Sequence, residues 1–313
     1  MHAVPIGQAG VSANAAQSMT QAYALAVFGW LLSAGVYIAA KWVAPEMPPW
    51  ALCFWRLAIA CLILLPIVHR HHGAMLGLLK ERTLELAVIG AVGLALCQGM
   101  IFVGLHYTDA TTAGIIMALC PIMTIVLARF ILGEALGPQK ALGAALALAG
   151  MLWIVSRGDL DALLSLQFSV GELWIVGSAF CFGLYTVLLR RSKFDMPMLP
   201  LLVLLLGVGA LAALPFYLWE LATGDRSSLD RNGLLALAYI AGPGGALMYF
   251  LYNRSVGALG ASRASMLMYL QTVFVAILAW LLLGEGLHGY DLAGAAFIVA
   301  GILLVTLARA KPA

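Results

Sequence analysis

Apolar residues in this chain do not alternate with polar ones; they come in long runs. Runs of span length fall at 22–42, 50–68, 83–105, 109–132, 137–156, 171–190, 197–219, 232–252, 260–283 and 288–308. A helix rising about 1.5 Å per residue needs about 20 residues to cross the ~30 Å core of a bilayer. The pattern therefore predicts an all-α integral membrane protein with ten transmembrane helices, here segments 1 to 10. Turn compositions separate them: "PEMPP" after segment 1, "HRHHG" after segment 2, "SRGDLD" after segment 5 and "TGDRSS" after segment 7. The short alternating stretches of a membrane β-barrel are not visible.

One stretch is written twice. Residues 113–151 align without a gap on 264–302, so that Gly133-Glu134 falls on Gly284-Glu285, Gly143 on Gly294 and Gly150 on Gly301. The offset of 151 extends back through Ala110/Ala261 and Gly93/Gly244. A slightly shorter offset pairs "GVY" at 35–37 with "GLY" at 183–185. Segments 1–5 thus match segments 6–10. Five is odd, so the second copy enters the membrane upside down relative to the first, an architecture recurrent in transporters. The expected organisation is a disordered cytoplasmic tail at 1–21, a five-helix repeat at 22–156, an extracytoplasmic linker at 157–170, a second repeat at 171–308 and a short cytoplasmic tail at 309–313.

Composition agrees with membrane residence: 63% of residues are hydrophobic and 10% charged, against about half and a quarter in soluble domains. A net charge of +3 without a basic, aromatic-interleaved stripe argues against nucleic acid as a partner. The five cysteines lie inside apolar runs and none forms a metal-type pair, so neither disulfides nor zinc are implied. The first twenty residues contain no Lys or Arg, unlike the basic start of a cleavable signal peptide. With the N-terminus in the cytoplasm, twelve basic residues fall on cytoplasmic loops and flanks and four (Lys41, Arg157, Arg226, Arg231) outside. Basic residues mark the cytoplasmic side, which favours both termini inside a bacterial-type inner membrane.

The chain resembles the drug/metabolite transporter superfamily, in particular proteins with tandem EamA-type domains, over residues 22–308. The resemblance rests on Trp30 in segment 1, "FWRLAIA" at 54–60 with Arg56, "ALCP" at 118–121, and "LGE" at 132–134 and 283–285, each followed by a Gly-rich segment. It implies ten helices, segments 5 and 10 peripheral, and a central cavity lined by segments 1–4 and 6–9. Similar proteins include exporters of amino acids and related metabolites; more distant ones carry nucleotide sugars and triose phosphates.

The fourteen Asp and Glu residues all fall at or near predicted helix ends. A proton-driven pump for cationic drugs needs an acid in mid-membrane, so a neutral or zwitterionic solute fits better. Glu134 and Glu285 are expected to satisfy neighbouring backbone N–H groups at short helix-to-helix turns or to pair locally. Mid-segment polar and aromatic residues form the candidate cavity, because an amide or phenol facing lipid would lack a partner. They are Trp30, Ser33 and Tyr37 in segment 1, Gln98 and Phe102 in segment 3, and Ser178 and Tyr185 in segment 6. Segment 8 adds Tyr249, Tyr252 and Asn253, and segment 9 adds Tyr269 and Gln271. The alternative for any one of them is helix-to-helix glue. Arg56 and Arg263 are expected near the two mouths, either guiding a carboxylate there or, the reading favoured for each alone, serving as structural or snorkelled cations, and Pro121 is expected to kink segment 4. "HRHHG" reads as a basic loop facing lipid headgroups, not as a metal site. Gly143/Gly150 and Gly294/Gly301 are notches for close packing within one chain or in a dimer seam. The expected function is export of small zwitterionic metabolites, amino acids including aromatic ones, by alternating access, with no cofactor. The protein would be a monomer or homodimer whose partners are the solute and membrane lipid. The alternatives are a carrier of phosphorylated or nucleotide-linked metabolites and a non-transporting membrane partner protein. No nucleophile–base pair, phosphate loop or metal cluster suggests an enzyme.

Overall fold

The computed structural model describes residues 6–133, 137–159, 161, 169–224, 231–259 and 267–307, and these contain helices and no strand. Six helical stretches are long and apolar enough to cross a bilayer: Met19–Val43, Thr83–Tyr107, Ala110–Ile131, Val170–Ser192, Met198–Thr223 and Arg231–Tyr252. Shorter helices occupy the other four predicted places. In chain order the helices are α1 (Ile6–Val43), α2 (Pro49–Leu64), α3 (His72–Glu81), α4 (Thr83–Gly90), α5 (Cys97–Tyr107), α6 (Ala110–Met117) and α7 (Cys120–Ile131). There follow α8 (Pro138–Val155), α9 (Val170–Ser192), α10 (Met198–Thr223), α11 (Arg231–Ala241), α12 (Met248–Leu259), α13 (Tyr269–Leu283) and α14 (Gly289–Leu307).

Three local features depart from the sequence reading. Helix α1 starts at Ile6, inside the stretch expected to be a disordered tail; no proline interrupts residues 6–43. The "HRHHG" stretch is not an open loop: His69–His71 form a single 3-10 turn, and the chain bends by 91° from α2 into α3. Segments 3 and 8 are each interrupted by one π-helical turn, Ala91–Leu96 between α4 and α5 and Gly242–Leu247 between α11 and α12. The second lies 151 residues after the first, the offset of the repeat. Segment 4 breaks where Pro121 removes a backbone donor: Ala118 and Leu119 donate to Ile115 and Ile116 in tight turns, and α7 then begins at Cys120. Segment 9 has a similar tight turn without proline, with Leu270 and Gln271 donating to Leu267 and Met268.

Helices α8 and α14 pack on each other through their glycines. A Cβ at Gly150 would meet the Gly294 carbonyl and Phe297, and one at Gly301 would meet the Gly143 carbonyl and Ala147. The two helices are therefore antiparallel, and the notches close within one chain. Helix ends meet in an ordered way. Glu220, near the end of α10, accepts hydrogen bonds from Trp50 N (3.0 Å) and Ala51 N (2.9 Å) at the start of α2. Glu285, between α13 and α14, accepts from Ala110 N and Thr111 N at the start of α6, both at 3.1 Å. These carboxylates satisfy the orphan first-turn donors of a helix and face its positive end. Lys41, near the end of α1, donates to Leu105 O (3.0 Å) and Thr108 O (2.7 Å) at the end of α5. One end of the bundle thus gathers the ends of α1, α5, α10 and α13 with the starts of α2, α6 and α14. At the other end Arg82 donates to Ser192 O at 2.7 Å, joining the start of α4 to the end of α9. The outside is apolar: Phe130 (80% exposed), Leu211 (69%) and Leu282 (67%) are largely uncovered, as expected of side chains bathed in lipid.

Candidate functional site

Arg56 lies about two turns inside α2, beyond the Glu220 cap, and is 4% exposed. Its Nη1 donates to Gln98 Oε1 of α5 at 2.7 Å. Nη2 reaches Gly244 O, in the second π-turn, at a long 3.5 Å. The guanidinium carbon stands 5.9 Å from the Phe102 ring centre, within cation–π range. Nε is buried and has no hydrogen-bond partner. One turn earlier on α2, Cys53 Sγ points at Ala95 O of the first π-turn, 3.5 Å away. One face of α2 therefore touches both π-turns, whose widened ladders offer carbonyls to neighbours. The sequence places Arg56 at a mouth; in the structure its side chain is buried beside Gln98 and Phe102.

Helix α1 faces this group from the side with the expected stripe. Ser33 is buried and its Oγ accepts from Gln271 Nε2 of α13 at 3.1 Å. Trp30 meets Tyr252 of α12 edge to face, with ring centres 5.4 Å apart. The Trp30 Nε1 atom is buried without a hydrogen-bond partner. Tyr37 is buried, and both it and Tyr249 lie within electrostatic range of Arg56. Tyr185 of α9 is buried, covers Gly93 in the first π-turn and lies within electrostatic range of Tyr249 and Tyr252. Residues scattered over α1, α2, α5, α9, α12 and α13 are thus brought to one interior region. Arg263 and Glu134 lie outside the described residues, as do the side chains of Pro121, Asn253 and Tyr269.

Sequence reasoning missed several interior contacts. Tyr239 of α11 donates to Leu32 O of α1 at 3.0 Å and lines a lateral apolar groove of about 590 Å³ between α1, α11 and α13. Thr272 of α13 donates to Gly114 O at 3.1 Å, tying the tight turn of segment 9 to segment 4. Ser178, on the other hand, is fully buried and spends its hydroxyl on Cys97 O at 2.7 Å, which makes it glue between α9 and α5. The five cysteines are free thiols. Among the described residues no three His, Cys, Asp or Glu side chains gather where they could hold a metal ion. Among the described residues the region gathers one buried cation, two amides, hydroxyls and ring faces.

Membrane-length helices, a lipid-type exterior and polar groups turned inward define a multi-pass membrane protein. The chain belongs to the EamA-like transporter family, whose profile matches it twice, at residues 20–156 and 169–307. It is 26% identical over 273 residues to the uncharacterized transporter YyaM of Bacillus subtilis strain 168, covering 87% of this chain and 89% of that one. It is 28% identical over 256 residues to the uncharacterized inner membrane transporter YicL of Salmonella typhimurium, covering 80% and 83%. An S-adenosylmethionine uptake transporter of Rickettsia felis is 24% identical over 291 residues, covering 90% and 93%. A solved crystal structure superposes with a TM-score of 0.60 at 22% identity, over 92% of this chain and 97% of that one, and shares the fold. The protein is accordingly a multi-pass transporter.

Proposed function

We propose that this protein exports small zwitterionic metabolites, amino acids with aromatic side chains among them, across an inner membrane by alternating access. Its ten segments form two five-helix repeats inserted in opposite senses, with both termini in the cytoplasm. Two pairs of contacts support the inversion. Gly150 meets Gly294 and Gly301 meets Gly143, and the repeat offset exchanges one pair for the other, as a twofold axis in the membrane plane requires. The inner-membrane assignment has the support of the relative YicL and of the basic loops.

The observation that carries the reading is the interior constellation of Arg56, Gln98, Ser33 and Gln271 with the Trp30 and Tyr252 rings. Polar groups in a membrane interior face a partner or a solute path. Every described carboxylate within a helix lies near one of its ends, which disfavours a proton-coupled pump for cations. A second reading, transport of a nucleoside-linked amino acid, has the support of the S-adenosylmethionine uptake transporter among the relatives. A carrier of phosphorylated compounds would need several interior cations, and among the described residues Arg56 is the one that is buried.

Flux in proteoliposomes tests this. Saturable movement of phenylalanine or tyrosine is expected, falling about tenfold or more in Tyr252→Ala and Gln98→Ala. S-adenosylmethionine flux in place of amino-acid flux would favour the second reading. No flux of any solute, together with specific capture of a membrane protein, would favour a non-transporting partner role.

A further inference from the structure

We infer that the solute carries a carboxylate and that Arg56 is its counter-ion, with Gln98 as the residue that aims the guanidinium. The inference rests on the reading of the interior as the solute path. A guanidinium stays protonated in a protein, so Arg56 brings a full positive charge into the bundle. Burying a charge is costly unless an opposite charge answers it. Here the answering groups are a neutral amide, a neutral carbonyl at the limit of hydrogen-bond distance and an aromatic ring. Among the described residues no Asp or Glu forms an ion pair with Arg56. Glu220, on the neighbouring helix, spends both oxygens on the start of α2.

Geometry says which edge of the guanidinium awaits the anion. Gln98 holds Nη1. The side-on edge, Nε and Nη2, has one group without a partner and one weakly engaged. Two parallel N–H groups on such an edge match the two oxygens of a carboxylate. Among the described residues Arg56 is the one buried cation, and a single cation beside the Phe102 ring suits a monoanion on an apolar body better than a phosphate. Nη2 carries two N–H groups, so it can serve a carboxylate on this edge while keeping its long contact with Gly244 O.

The test uses the purified full chain in detergent and three probes at matched concentration: L-phenylalanine, hydrocinnamate (which lacks the amine) and phenethylamine (which lacks the carboxylate). Both carboxylates are expected to raise the unfolding temperature, and phenethylamine to leave it unchanged. Arg56→Gln should weaken the apparent affinity for hydrocinnamate about 30-fold or more. The ligand series on wild type decides the matter even if that variant does not fold. Stabilisation by phenethylamine equal to that by hydrocinnamate overturns the inference. So does a wild type indifferent to both carboxylates, or a folded Arg56→Gln with unchanged affinity. Arg56-dependent hydrocinnamate binding without amino-acid flux would defeat the export proposal and leave this inference standing. Phenylalanine flux undiminished in Arg56→Gln would do the reverse.

Discussion

The two halves share their backbone devices and differ in their side chains. Each has a π-turn in its third segment at the same register. Each has a left-handed glycine after its fourth, Gly133 at φ 69° and Gly284 at φ 68°, a conformation that costs glycine little. Each has a pair of glycine notches in its fifth. The chemistry, by contrast, is divided between them. Where the first half has Gln98, the second has Tyr249; where the first has Phe102, the second has Asn253. The stretch of segment 7 corresponding to Arg56, Leu204 to Gly207, has no charge. Lipid supplies no hydrogen bonds, so backbone geometry in a membrane is tightly constrained. Side chains facing the junction are not bound by that rule and are free to diverge.

This comparison can be broken in three places. The largest effect is expected at the notches. Gly150→Leu and Gly301→Leu should each destabilise the protein by about 3 kcal/mol, because the added side chain meets backbone of the partner helix. Thermal unfolding followed by tryptophan fluorescence would measure it, and a difference of several degrees between the two variants would deny their equivalence. The caps come next. Glu220→Ala strands two buried donors and should cost about 2 kcal/mol; Glu285→Ala, more exposed, about 1 kcal/mol. Equal losses in the same unfolding assay would show that burial does not rank the caps. The smallest effect is expected at the second π-turn, where Pro243 stands opposite Val92 of the first. Pro243→Val copies the first half, and a change below about 0.5 kcal/mol is expected. A large loss would mean that the second turn depends on its proline while the first forms without one.

Much of the frame was readable in the sequence because length and apolarity alone mark a helix that crosses lipid. The doubled Gly-rich segments were equally visible, since a notch needs glycine at fixed spacing. The π-turns were not: "AVGLAL" and "GPGGAL" share Gly, Ala and Leu at three of six positions, yet none of these marks a π-turn, and one inserted residue leaves an apolar run looking unbroken. Arg56 and Gln98 were both singled out, yet a mouth residue and a cavity residue gave no sign of bonding to each other. Their pairing depends on how α2 lies against α5, which no spacing along the chain encodes. The contacts of Tyr239 and Thr272 were hidden for the same reason, each serving a carbonyl on a helix distant in sequence. The Glu285 cap was foreseen as a role, but its partner in α6 was not.

The direction in which those carboxylates reach bears on how the molecule is made. Glu220, Glu285 and Asp291 belong to the later-synthesised half, and the groups they receive, at Trp50, Ala51, Ala110, Thr111 and Thr112, belong to the earlier one. A nascent chain emerging from the ribosome must therefore hold the leading amides of α2 unserved until the end of α10 arrives, and those of α6 until the turn between α13 and α14 arrives, so truncation near the C-terminus would be felt at α6, a helix completed long before.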